Sequence, residues 1–196
     1  MKKESALNVE VSFTVLDLLN DFTEDFKEEL ASKGTLTTSY CWPILTFFVD
    51  NEVMPNVIRL LIRLLQKPQA KDFSLALLWY LRHFIKMFAR PLFTFGDNNY
   101  VGELTAEIIR MCNFQDDDVR PQATSLLFWM MKVNYRQLRN FNLMKLQTTV
   151  AVSKLVSNTT TQDFRLLYKG LEALGEFGLT RAKQLKDHSD NKKYGA

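Results

Sequence analysis

Cysteine and histidine are scarce in this chain, with two of each. Cys41 and Cys112 stand far apart in apolar surroundings, which argues against a disulfide framework and fits a reducing intracellular compartment. Neither has a basic activator close in sequence, so both read as small buried hydrophobes. His83 follows Arg82 in a helical pattern and His188 falls in the polar C-terminal stretch. Neither joins a cysteine or carboxylate at metal-ligand spacing. Glycine is sparse too, and Gly96 and Gly102 belong to no Gly-rich loop followed by a Lys-Ser/Thr pair, so no phosphate cradle is present. Catalytic, cofactor-binding and metal-ligating residues are therefore expected to be none.

An excess of one charge is also missing. Twenty-five basic and 22 acidic residues leave a formal balance of +3, and the signs are mixed along the chain, so nucleic acid is not an expected partner. The densest basic stretch, Arg181, Lys183, Lys186, Lys192 and Lys193, is interrupted by Asp187 and Asp190 and reads as a solvated terminus. Long hydrophobic runs are absent. The start MKKESALNVEV lacks the apolar stretch of a signal peptide, and the strongest apolar run, residues 60–65, is cut by Arg63. Neither secretion nor a membrane-spanning segment is expected.

What the chain does have is 46% hydrophobic residues, enough for a sizeable core, distributed as a succession of amphipathic helical segments. A flexible N-terminal segment (1–8), a helical domain (9–178) and a polar, flexible tail (179–196) are the expected divisions. The first helix is predicted over residues 9–30, with Val15, Leu16, Leu19, Phe22, Phe26 and Leu30 on one side at spacings of three and four. Glu24, Asp25, Lys27, Glu28 and Glu29 fill the other side, where solvation outranks a cation site. Gly34 and its Thr/Ser neighbours end it, and a second helix follows over 40–49. Pro55 opens a third, in which Ile58, Leu60, Leu61, Leu64 and Leu65 form an apolar face with Arg59 and Arg63 outside. A fourth covers 73–88, and a fifth holds Leu104, Ile108, Ile109 and Met111.

The clearest local signal is "FQDDDVRPQATSLLF". Asp118 is placed to cap a helix whose first turn contains Pro121, and residues 116–118 complement the positive end of its dipole. Val119 and Ala123 point inward. The "D-V-R-x-x-A" pattern resembles the start of the second helix in a HEAT or armadillo unit, and helix pairs recur every 40 to 45 residues, near the spacing of such repeats. Tyr135, Arg136 and Arg139 fall in the following turn, and a last pair is predicted over 141–156 and 161–177. The expected fold is all-α, an armadillo/HEAT-like antiparallel helical-repeat stack (an α-solenoid). Trp42, Trp79 and Trp129 occupy separate apolar segments and are expected in the core. The aromatic-rich stretch 88–100 is the best internal candidate for a protein contact.

These residues carry a family resemblance. The stretch "ARPLFTFGDNNYVGELTAEIIRMCNFQDDDVRPQATSLLFWMMKVNYRQL", then "MKLQTTVAVSKLV" and "FRLLYKGLEAL", resembles the armadillo-like helical region of the DOCK (dedicator of cytokinesis) exchange factors. Arg120, Ala123, Leu126, Leu127, Met130 and Asn134 sit where that family tends to have matching types, and "FTEDFKEELASKG" resembles an earlier helix of the same region. "NTTTQDF" and the polar ending depart from it. The resemblance implies a noncatalytic scaffold segment that borders or precedes the region discharging GDP from Rho-family GTPases, braces it and offers interaction surface. The implied partners are that exchange region and a Rho-family GTPase or an adaptor protein; the uncovered apolar end faces of a helical stack add a second copy of the chain as an expected partner. The implied location is the cytoplasm, with membrane recruitment through other parts of the parent. The competing expectation is an independent helical-repeat adaptor without exchange activity. No cofactor is implied.

Overall fold

The computed structural model describes residues 2–31, 53–67, 69–95, 98–157 and 164–193. They form α1 (Lys2–Asp25), α2 (Lys27–Ala31), α3 (Val53–Gln66), α4 (Lys71–Met87), α5 (Asn98–Cys112), α6 (Val119–Leu138), α7 (Asn142–Ser157) and α8 (Phe164–Lys193), with a π-helical turn at Pro91–Phe95 between α4 and α5. No strand occurs among the described residues. The helix expected over 40–49, with Cys41 and Trp42, lies outside them, as does Gly34.

The helices alternate between two layers. In one, α1 packs on α4, α4 on α6 and α6 on α8; in the other, α3 packs on α5 and α5 on α7. Helices within a layer run the same way. Phe13 meets Phe73 edge to face at 5.6 Å, while Thr23 bonds Tyr80 and Glu24 bonds His83, so α1 and α4 ascend together. Lys71 with Asp118 and Arg82 with Ser125 give α4 and α6 the same sense. In the other layer, Arg59 donates to Tyr100 and Gln66 to Glu107. The odd helices α3, α5 and α7 begin at residues 53, 98 and 142, a period of 44 or 45 residues. That is the two-helix repeat of a HEAT or armadillo stack, and the fold is an all-α solenoid.

The core follows from this arrangement, because a helix with neighbours on three sides needs a wide apolar face. In α4, Phe73, Leu77, Leu81, Phe84 and Ile85 are fully enclosed, and they share one core with Leu104, Ile108 and Ile109 of α5 and Ala123, Leu126 and Leu127 of α6. Val119 and Ala123 do point inward. Asn134 shares the core side of α6 with Ala123, Leu127 and Met130, and among the described residues its buried amide has no hydrogen-bond partner. Arg110 of α5 donates to the Leu65 carbonyl at the end of α3, giving an orphan C-terminal acceptor its partner.

Several expectations change. The first helix starts at Lys2, not near residue 9, and pauses at Phe26, which is exposed. In α3, Ile62 is buried and Leu60 is exposed, because the core side is set by Met54, Val57, Ile58, Leu61 and Leu65. Asp118 does not cap α6; Asp116 does, its Oδ1 accepting from the Asp118 and Val119 amides at 2.9 and 3.1 Å. Asp118 turns instead to Lys71. Tyr135 and Arg136 lie in the last turn of α6, and Arg139 ends it in a left-handed conformation (φ 57°), its amide bonded to Tyr135 O. The last helix runs on to Lys193, well past residue 177, since no proline or glycine interrupts it after Gly178 and Lys, Arg, Gln and Leu favour helix.

Candidate protein-interaction surface

In the aromatic-rich stretch 88–100, expected to offer a protein contact, the described rings are covered to different degrees. Phe88, Leu92 and Phe93 are buried, and Tyr100 is half-buried and covered by Arg59, whose guanidinium lies 5.5 Å from the ring centre. The π-helical turn, with Leu92 and Phe93, packs against α5 and α6.

The most exposed aromatic among the described residues lies on α4. Trp79, expected in the core, is 76% exposed. The reason is angular: Phe73, Leu77, Tyr80, Leu81 and Phe84 already fill the inward side, and position 79 falls on the opposite side of a 3.6-residue turn. Together with Leu75, Leu78 and Arg82 of α4 and Gln122 and Leu126 of α6, Trp79 lines a shallow groove of about 290 Å³. Its floor is apolar where Leu78 and Leu126 close it against the core.

The basic side chains at one end of this groove are held in place. Arg82 Nη2 donates to Ser125 Oγ at 2.6 Å, and the guanidinium carbon lies 5.7 Å from the centre of the Trp129 ring. Lys132 Nζ lies 5.6 Å from the centre of the same ring. Trp129 is therefore partly buried as expected, yet serves as a platform for two cations. Lys86 and Arg136, one turn further along α4 and α6, are exposed. At the other end Lys71 is matched by Asp116 and Asp118, and the Asp118 carboxylate raises the Lys71 pKa. The seam thus runs from a charge-balanced end, past an apolar middle, to a cationic end.

The chemically reactive side chains are placed differently. Cys112 is buried beneath α6 and α8, and burial pushes its thiol up to about 12. His83 Nε2 lies 2.5 Å from Glu24 Oε1 and ties α4 to α1. Glu24, Asp25, Glu28 and Glu29 are on the exposed side of α1 and α2. Among the described residues no group of three or more His, Cys, Asp or Glu could hold a metal ion. No helix among them is long and apolar enough to cross a membrane.

The seam was readable in part from the sequence. On α6 the spacing Gln122, Ser125, Trp129, Lys132, Arg136 alternates three and four, as does Leu75, Trp79, Arg82, Lys86 on α4. Each is an outward stripe that mixes tryptophan with cations, and only the pairing of the two helices shows that they adjoin.

The chain is distantly homologous to dedicator of cytokinesis proteins over most of its length. It is similar to "Dedicator of cytokinesis protein 11" of Danio rerio, 27% identical over 176 residues that make up 89% of this chain and 8% of that protein. It is also similar to "Dedicator of cytokinesis protein 9" of Homo sapiens (28% over 158 residues, 79% of this chain, 7% of that protein) and of Mus musculus (27% over 158 residues, with the same shares). The chain thus spans less than a tenth of the length of these relatives. No protein-family model and no solved structure matches it.

Proposed function

We propose that this chain is a noncatalytic scaffold segment of a DOCK-like exchange factor for Rho-family GTPases, bracing the exchange region and presenting protein-interaction surface. The observation that carries the reading is the distant similarity itself, which covers 79–89% of the chain and 7–8% of each relative, the proportion of one segment of a long protein. The two-layer stack supports it, because a solenoid fixes distances between its ends and offers long outer faces. Exchange chemistry belongs to other parts of the parent, and the setting is the cytoplasm.

The test pairs two measurements. Binding of the isolated chain to its parent's exchange region, without nucleotide release from Rho-family GTPases, is the expected result. GDP release by the isolated chain at a rate comparable to a complete factor overturns it. The exposed Trp79 seam also favours a second reading, an independent adaptor; binding to neither the exchange region nor nucleotide-free GTPase would support that one.

A further inference from the structure

The seam between α4 and α6 is more elaborate than a bracing role requires. Trp79 is held out from the core, Arg82 is fixed by Ser125 and the Trp129 ring, and Leu78 and Leu126 close the floor. A scaffold that only sets distances gains nothing from an exposed indole, whose hydration is unfavourable. Tryptophan and arginine are also the residues that dominate binding energy at protein interfaces.

We propose that the α4–α6 seam is a docking site for a short acidic peptide segment carrying one large apolar side chain. The apolar side chain would seat against Trp79, Leu75 and Leu126, and the carboxylates would meet Arg82 and continue toward Lys86 and Arg136. Charge complementarity selects this occupant. The outward stripes of the two helices carry four cations, Arg82, Lys86, Lys132 and Arg136, whereas Asp72 lies at the opposite end beside the matched Lys71. Arg82 is already oriented by Ser125, so less side-chain entropy is lost when it meets a carboxylate.

The α1 flank sharpens the choice. Exposed Asp17, Asp21 and Glu24 lie on α1, beside α4, with Glu24 paired to His83, whereas α8, beside α6, mixes exposed Glu172 and Glu176 with exposed Arg165, Lys169 and Lys183. An acidic segment is attracted along the seam and repelled on its α1 side. A basic segment would be drawn toward α1 and away from the cationic end of the seam. The site does not depend on the exchange-factor assignment, and an adaptor would use it equally.

The probe is a display library of random 12-residue peptides sorted on the immobilised chain, with affinities of the recovered peptides measured by fluorescence anisotropy. The wild-type chain is expected to enrich peptides with Asp or Glu next to a Trp, Phe or Leu. Those peptides should lose about tenfold or more in affinity on Trp79→Ala and on Lys86→Glu, each an exposed position whose change leaves the core intact. Arg82→Lys should weaken binding without abolishing it. Recovery of no peptide, of peptides without acidic enrichment, or of peptides that bind all variants equally would overturn the proposal. So would light scattering showing a dimer that Trp79→Ala dissolves, since a second copy of the chain would then be the occupant.

Discussion

Gly170 of α8 packs so closely on the end of α5 that a Cβ added there would lie 3.0 Å from the Cys112 carbonyl oxygen. The obstructing atom is backbone, and the Thr124 hydroxyl closes another side at 3.5 Å. Gly175 and Gly178 lie further along the same helix, and a Cβ added at either would meet nothing within 4 Å. The three glycines should therefore respond differently to one substitution. Gly175→Ala and Gly178→Ala should each stabilise the fold by about 0.5–1 kcal/mol through helix propensity. Gly170→Ala should lose stability despite the same gain, and Gly170→Val should cost about 1–3 kcal/mol through overpacking. Urea unfolding of the four variants measures this; a stabilised Gly170→Ala chain would show that α8 is free to move away from α5.

Asp116 and Asp118 separate a cap from an ion pair. Hydrogen bonds from the Asp118 and Val119 amides hold the Asp116 carboxyl below its usual pKa, helped by Lys71 and Arg120. A depressed folded pKa contributes stability above the unfolded value, near 4 for a carboxylate, and that contribution is lost as pH falls through the folded value. Asp116→Ala should lower Tm by a few degrees at neutral pH, whereas Asp118→Ala, which removes an exposed ion pair with Lys71, should change it little. Asp116→Asn should keep most of the cap and flatten the stability curve below pH 4. Equal losses from both alanine variants would contradict the assignment of the cap to Asp116.

The repeat architecture was legible because it is a matter of period. Leucine, isoleucine and phenylalanine spaced three and four apart mark helices, and the breaks between them recur at the length of a two-helix unit. What was not legible was which side of a given apolar helix faces inward. Trp79 and Leu60 sit in segments where nearly every position is apolar, so composition cannot choose; the neighbour in the layer chooses, and that neighbour is about 45 residues away. Asp116 and Asp118 posed the same problem at short range, since three consecutive aspartates precede α6 and only backbone geometry selects the one that caps. The interaction seam stayed hidden for both reasons, being made of two stripes that are ordinary alone.

Cys112 should behave as an inert thiol. It is buried between α5, α6 and α8, and burial raises its pKa to about 12, so at pH 8 the thiolate fraction is about one in ten thousand. Iodoacetamide at pH 8 should leave Cys112 unmodified in the folded chain and modify it fully in urea, as read by peptide mass mapping. Rapid labelling under native conditions would mean that α8 opens away from Cys112 on the timescale of the reaction.

The Thr23 and Tyr80 hydroxyls, 3.0 Å apart, make the polar clasp between α1 and α4. Thr23 is fully buried and also donates to the Asn20 carbonyl at 3.1 Å, so it keeps a partner if Tyr80 is changed. Tyr80→Phe should therefore cost only about 0.5–1.5 kcal/mol, the net value of one hydrogen bond, rather than the larger penalty of an orphaned group. The same clasp sets an alkaline limit. Burial raises the Tyr80 pKa from 10 to about 12, so the folded chain holds the phenol proton where the unfolded chain releases it. This stability contribution is complete below pH 10 and is lost as pH rises toward and through 12. Unfolding curves at pH 9 and pH 11 should differ more for wild type than for Tyr80→Phe. If the two chains lose stability in parallel over that interval, Tyr80 is not the group that titrates, and α1 is less firmly docked on α4 than the 3.0 Å contact implies.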